Sequence, residues 1–174
     1  GRAAFPAAFQ LVLAANPCAC GFAGDPVEKC VCSAAELDRY RRKLSGPILD
    51  RIDLQIAVPR LTPEELLSFS GGAESSAAIR SRVVRAREVQ QRRWAPFGLS
   101  CNAELPEKLV RRHLELSAES RDYLAGMAGR LKLSGRGISR VLKVARTIAD
   151  LAGEPSIRTP HLAEALMYRQ GNTP

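Results

Sequence analysis

Four cysteines fall in two tight pairs, Cys18-x-Cys20 and Cys30-x-Cys32, with nine residues between the pairs. Thiolate sulfur is a soft ligand, and two close pairs joined by a short loop can close a tetrahedral site for a metal such as Zn²⁺. The Cys-x-Cys interval is tighter than the usual zinc-motif spacing, so a set of reduced thiols in a loop is the alternative. Gly21, Gly24 and Pro26 suit a knuckle between the pairs. A cytoplasmic setting, expected here, argues against disulfides. Cys101 stands alone and reads as a small buried hydrophobe.

The other chemistry-bearing residues are cations and one amide. Arg51 follows the turn signal Ser45-Gly46-Pro47 and precedes the β-branched run Ile52-Asp53-Leu54-Gln55-Ile56-Ala57-Val58. A cation held at the start of a strand can reach a charged ligand or a neighbouring subunit; a surface arginine paired with Asp50 or Asp53 is the plainer reading. Asn16 closes an apolar run at 9–15, just before Pro17. Its amide could hold a water or a phosphate oxygen, or simply form the turn. Arg82, Arg85, Arg92 and Arg93 share one sector of a helix at about 100° per residue, a row able to follow backbone phosphates. The alternative is a solvated basic face, since no aromatic residues interleave to stack bases. His113 and His161 are single, and core or surface roles suit them better than catalysis.

These residues need elements to hold them. The run 9–15 lacks clean alternation and reads as a buried strand, and 52–58 alternates as a second. Ser33 with Glu36 makes a capping box for a helix carrying Leu37, Tyr40 and Leu44 on one side and the cluster Arg39, Arg41, Arg42 and Lys43 beside it. Residues 61–76 read as a linker, with Pro63, Gly71-Gly72 and serines, and one short turn at Glu64-Glu65-Leu66-Leu67. Ser75 or Ser76 opens a long helix over 77–93. Pro106, Ser117, Ser134 and Thr159-Pro160 open four more. The helix after Ser134 carries the stripe Ile138, Leu142, Ala145, Ile148 and Ala152, and Gly153 stops it. Trp94 and Phe97 close a hydrophobic corner.

Composition is that of a globular chain: 174 residues, 45% hydrophobic and 25% charged, with a net charge of +8. Of that charge, +7 lies in residues 60–174, where nineteen Lys and Arg meet twelve Asp and Glu. The excess favours an anionic partner such as nucleic acid or nucleotide, with ordinary solubility charge as the alternative. No run of 18 apolar residues exists to span a membrane. The start, Gly1-Arg2-Ala3-Ala4-Phe5-Pro6, lacks both the regions of a signal peptide and a Met, so the chain is expected to be part of something longer.

Three stretches together resemble one family. Leu44-Ser45-Gly46-Pro47-Ile48-Leu49-Asp50-Arg51-Ile52-Asp53-Leu54 resembles the arginine-finger segment of AAA+ ATPases in the magnesium-chelatase/MCM branch. Phe9 to Gly21 resembles its sensor-1 strand. Leu133-Ser134-Gly135-Arg136-Gly137-Ile138-Ser139-Arg140 and the residues to Ala152 resemble the helical lid. The match is nearest the magnesium-chelatase-like ComM/YifB family and runs from about Phe5 to Arg169.

The resemblance implies an α+β fragment, mainly α. Residues 1–60 would be the remnant of an AAA+ α/β nucleotide-binding core, two strands and one helix with the Cys-rich loop. Residues 61–76 would link it to an all-α lid bundle at 77–174. Arg51 would act on the nucleotide of the adjacent subunit and Asn16 would orient the attacking water. Arg136 would contact the γ-phosphate bound by its own subunit, with Arg140 as the fallback. ATP and Mg²⁺ would serve a hexameric motor on DNA, in the manner of a branch-migration helicase. The chelatase subunits share the finger and lid but lack the paired cysteines, which favours the ComM-like branch over a motor driving Mg²⁺ into a porphyrin. A non-enzymatic zinc-bearing helical module that binds nucleic acid is a third reading. No Gly-x-x-x-x-Gly-Lys-Ser/Thr and no strand ending in adjacent acids occur in the chain, so alone it is expected not to turn over ATP.

Overall fold

The computed structural model describes Ala3 and residues 9–43, 46–49, 51–67 and 74–169. Ser45 of the turn, Leu44, Asp50 and the Gly71-Gly72 pair lie outside these residues. The chain divides into two compact units, one built from the chain up to residue 45 and one spanning 46–172.

The first unit contains helix α1, Ala34–Lys43, and the loop before it. The expected capping box is present: Glu36 Oε2 accepts from the Ser33 backbone N–H at 2.8 Å, and Ser33 Oγ accepts from the Glu36 N–H at 3.3 Å. The helix buries nothing fully, and Cys18 is the one buried hydrophobic residue among those described up to residue 45. The strand expected at 9–15 is not formed. Leu11, Leu13 and Val12 are exposed, Val12 by 81%. An apolar run becomes a strand only when neighbours accept and donate along its length. Among the described residues the only β pairing is one parallel bridge between Leu116 and Ile157.

The second unit is helical: α2 (Gly46–Leu49), α3 (Pro63–Leu67), α4 (Ser76–Trp94), α5 (Glu107–His113), α6 (Ala118–Arg130), α7 (Gly135–Leu151) and α8 (Thr159–Met167). Ser75, Ser117 and Ser134 cap α4, α6 and α7, each side-chain oxygen accepting the N–H three residues on. Such caps contribute about 1 kcal/mol each. The second expected strand, 52–58, is also absent. Its first residues are instead bonded within this helical unit, and Ile56 and Val58 are exposed.

The core gathers Trp94, Leu105, Val110, Leu114, Leu124, Val141, Ala145, Ile157, Leu162, Ala165 and Leu166. α7 is its spine, packed on α8, α4 and α5. The buried stripe of α7 is Val141, Ala145 and Ala149: Ala145 lies inward as expected, and Val141 and Ala149 take the inner places expected of Leu142 and Ile148. Ile138, Leu142 and Ile148 are half-buried flanks, and Ala152 is exposed. The small side chains at 145 and 149 admit close neighbours, so the helix turns its thin face inward and its bulky residues fill the sides. Gly153 ends α7 with φ +73°, and the Glu154 N–H returns to the Ala149 carbonyl at 2.8 Å. That left-handed position favours glycine. The apolar stripe of α4 outruns the bundle: Ala86, Gln90 and Trp94 are buried, but Ile79 and Val83 are 43% and 46% exposed.

A polar knot lies inside this core. Asp150, its side chain wholly buried, accepts from Arg93 twice, at 2.9 and 2.6 Å, and from Asn102 Nδ2 at 2.9 Å. Arg146 pairs with it at 3.1 Å and donates to the Glu154 and Pro155 carbonyls at 2.6 and 2.8 Å. Asn102 in turn accepts from the Trp94 indole at 2.8 Å, and its own N–H goes to Gln90 Oε1 at 3.1 Å. Trp94, Phe97 and His113 pack as three rings, with Phe97 and His113 centroids 4.9 Å apart. His113 thus serves packing. His161 caps α8, its Nδ1 accepting the Arg158 N–H at 3.1 Å.

Candidate functional site

In the first unit the four cysteines converge. Their sulfur atoms all lie within 4.8 Å of one another. Cys18 Sγ is 3.3 Å from Cys20 Sγ and 3.8 Å from Cys30 Sγ, and Cys20 to Cys30 is 3.6 Å. A tetrahedron of Zn–S bonds near 2.3 Å requires sulfurs about 3.8 Å apart. The Cys-x-Cys interval is therefore no obstacle, because Gly21, at φ +89°, lets the chain double back behind the first pair. Its N–H reaches the Cys18 carbonyl at 3.1 Å, and the Ala23 N–H points at Cys18 Sγ at 3.3 Å. The backbone N–H groups of Phe22 and Val31 draw the Cys20 thiol down to about 6. For Cys32 the N–H of Cys20 also pulls downward. The neighbouring Cys20 sulfur, burial and the Cys18 and Cys30 sulfurs outweigh it and push the thiol up to about 12. Four thiols so close cannot all ionise without a cation among them, and this donor set could hold a metal ion. Cys101 belongs to the other unit and is half-buried there.

Asn16 is exposed, and its carbonyl accepts from the Tyr40 hydroxyl at 2.9 Å. The bond ties the residue before the cysteine loop to α1.

In the second unit the residues around Arg51 are docked on α7 and the end of α8. Arg140 Nη1 donates to the Arg51 carbonyl at 2.6 Å and pairs with the Asp53 carboxylate. Arg169 Nη1 donates to the Ile52 carbonyl at 2.6 Å, and the Gln55 N–H to the Tyr168 carbonyl at 3.0 Å. Arg140, which the resemblance makes the fallback phosphate ligand, is thus engaged with the Arg51 segment. Arg136, one turn earlier on α7, is exposed and has no hydrogen-bond or ion-pair partner among the described residues. Lys143, another turn on, donates to the Ala103 carbonyl at 3.0 Å, and burial lowers its pKa from the usual lysine value. Arg169 carries no signal in sequence: its partner is 117 residues away.

The basic row of α4 divides. Arg82 pairs with Glu74, Arg85 is exposed, and Arg92 Nε reaches the Glu88 carbonyl at 3.3 Å. Arg93 turns inward to Asp150 and is not available at the surface for phosphate. The cause is its register: it lies seven residues after buried Ala86, within about 20° on the helix surface.

The family model described as magnesium chelatase, subunit ChlI, matches residues 1–66, and the model for the C-terminal part of that subunit matches residues 73–169. The chain belongs to the magnesium chelatase family. Within that family its relatives include the competence protein ComM of Haemophilus influenzae, 42% identical over 165 residues. The protein YifB of Escherichia coli is 39% identical over 165 residues, and an uncharacterised Mycobacterium bovis protein 45% over 170. These alignments take in 95%, 95% and 98% of this chain but 31%, 31% and 33% of those proteins, so the chain spans about a third of the curated relatives' length. The chain is thus a magnesium-chelatase-like protein of the ComM/YifB kind. No described helix is long and apolar enough to cross a membrane.

Proposed function

We propose that this chain is the C-terminal part of a hexameric AAA+ motor that hydrolyses ATP to move or remodel DNA, with the cysteine quartet holding a structural Zn²⁺. The observation that carries the reading is the docking of the Arg51 segment on the helix that bears Arg136. It joins two arginines of one compact unit through the anchor at Arg140, as a ring would need if each subunit served two nucleotides. Arg136 would meet the γ-phosphate in its own subunit, and Arg51 would meet the transition-state charge in the next. Asn16 would orient the attacking water. ATP bound with Mg²⁺ supplies the phosphoryl group. The name of the ComM relative, a competence protein, supports DNA as the polymer.

The test is ATP turnover by the full-length protein with and without DNA. Stimulation by DNA supports the motor. Turnover that responds only to a porphyrin and its chelatase partners would favour the second reading, which rests on the family description. A further check uses salt. If Arg82, Arg85 and Arg92 neutralise phosphates, changing all three to alanine lowers the slope of log K against log salt by roughly 0.9 for each phosphate left unneutralised. An unchanged slope would leave α4 as a solvated face. Arg93 is left out of that set because it is committed to Asp150.

For the quartet, protein purified without chelator is expected to carry about one Zn²⁺ per chain, and Cys18→Ser to lose both metal and thermal stability in residues 16–43. Elemental analysis decides. Clearly substoichiometric metal, with stability untouched by Cys18→Ser, would make the thiols incidental.

A further inference from the structure

We propose that Arg140 is a positioning residue: with Arg169 it fastens the Arg51 segment to α7, so that the arginine aimed at a neighbouring subunit's nucleotide moves with the helix aimed at the chain's own. The inference deepens the ATPase reading and rests on it for its kinetic consequence. The docking itself stands on geometry alone.

Hydrogen bonds from α7 and from the end of α8 hold residues 51–55. Arg140 Nη1 takes the Arg51 carbonyl at 2.6 Å and the Asp53 carboxylate. Arg169 Nη1 takes the Ile52 carbonyl at 2.6 Å, and the Gln55 N–H reaches the Tyr168 carbonyl at 3.0 Å. Inside the segment, Gln55 Nε2 returns to the Leu49 carbonyl at 3.4 Å. Bonds from a guanidinium are stronger than those between neutral groups. Two consecutive carbonyls held this way fix the peptide plane after Arg51, and with it the direction in which the Arg51 side chain leaves the backbone. A strand would ordinarily supply that rigidity. Here no strand forms, and the lid supplies it.

The anchors are tied to Arg136. Arg140 is one turn on from it along the same face of α7. The Arg169 guanidinium lies over Gly137, where an added Cβ would sit 3.7 Å from Nη2. A nucleotide drawing Arg136 toward itself would therefore shift α7, both anchors and Arg51 as one piece. Adjacent sites in a ring would be coupled through this segment. Asp53 sets the register: its carboxylate lets one guanidinium hold a carbonyl and a side chain two residues apart. Both bonds leave one nitrogen, Nη1, so a lysine ammonium can meet the same two acceptors only in part, on a more flexible stem and without the guanidinium's preorganised plane.

The experiment uses the full-length protein with Arg140→Ala, Arg140→Lys, Arg51→Ala and the double variant Arg51→Ala with Arg140→Ala. Two readouts are taken: kcat and KM for ATP, and hydrogen exchange in peptides covering 51–55 and 141–149. For Arg140→Ala we expect kcat to fall roughly tenfold or more with KM changed less than about twofold. Exchange in 51–55 should rise at least about tenfold while 141–149 stays protected. Arg140→Lys should recover part of both. The double variant should be no slower than Arg51→Ala, because both lesions act through one side chain. Unchanged exchange in 51–55 would overturn the proposal. So would a raised KM with kcat intact, which would make Arg140 a nucleotide ligand, or losses that multiply in the double variant. Should Arg51→Ala itself retain full turnover, the ATPase reading falls, and the exchange data still decide whether Arg140 holds the segment.

Discussion

Replacing Arg51 with alanine in the full-length protein is expected to cut ATP hydrolysis by roughly 10³–10⁵-fold while nucleotide affinity changes little. The size follows from where charge builds up. Phosphoryl transfer spreads negative charge over the γ-phosphate oxygens and the bridging oxygen at the transition state. A guanidinium meeting that charge stabilises it far more than the ground state, so the loss falls on kcat. The structure adds why the segment should stay docked. Arg51 is exposed, and the bonds from Arg140 and Arg169 that hold its segment go to the Arg51 and Ile52 backbone carbonyls, so truncating the side chain leaves those two bonds in place. Steady-state kinetics with a nucleotide-binding titration reads both quantities. A second arm tests action across the interface: mixing Arg51→Ala with a variant lacking the phosphate-binding lysine should restore part of the activity, because mixed rings contain sites complete in both parts. Near wild-type turnover in Arg51→Ala would refute the role.

Much of the helical unit is legible in the sequence, and the reason is local. Ser75, Ser117 and Ser134 each sit before a helix with an N–H three residues on to satisfy, and each cap appears. Leu162, Ala165 and Leu166 have the spacing of an inner face, and all three are buried. What fails is non-local. The runs 9–15 and 52–58 have the composition of strands, but a strand is completed by another chain segment that its own residues do not encode. On α7, Ala145 is read correctly as inward, but bulk favours Leu142 and Ile148 as its inner neighbours, whereas Val141 and Ala149 face the core. Angle alone groups Arg93 with the surface arginines. Its place one heptad after Ala86 is a usable signal, since a cation on a buried stripe needs a buried acid, and Asp150 is that acid. The four cysteines are legible as a set, but their fit to a tetrahedron depends on the positive φ of Gly21, which spacing does not reveal. The anchoring roles of Arg140 and Arg169 lie beyond reach, because bonds across 89 and 117 residues leave no trace in any window.

Removing the buried acid should be among the most damaging single changes to the helical unit. Asp150→Ala is expected to cost about 3–5 kcal/mol, the range for breaking a buried ion pair from one side. The acid serves three donors at once, and each would be stranded differently. Arg146, with its side chain only 5% exposed, would keep the Glu154 and Pro155 carbonyls but lose its counter-charge. Asn102 would keep Thr147, at 3.0 Å, and the Trp94 indole. Arg93, more open than Arg146, can swing to water. The penalty is therefore set mainly by Arg146, whose guanidinium is already under electrostatic stress: burial lowers its pKa, and Asp150 is the group that opposes the fall. Comparison of three variants isolates this. Arg93→Met should cost less than Asp150→Ala, because the acid keeps two of its donors. Joining Arg146→Met to Asp150→Ala should recover part of the loss, since no uncompensated charge is then left inside, although two carbonyls go unmet. Denaturant unfolding followed by the fluorescence of Trp94, the one tryptophan of the chain and a member of the same knot, measures all three directly. A cost below about 1 kcal/mol for Asp150→Ala would mean that water reaches Arg146 in the folded state and that the knot is not a dry core.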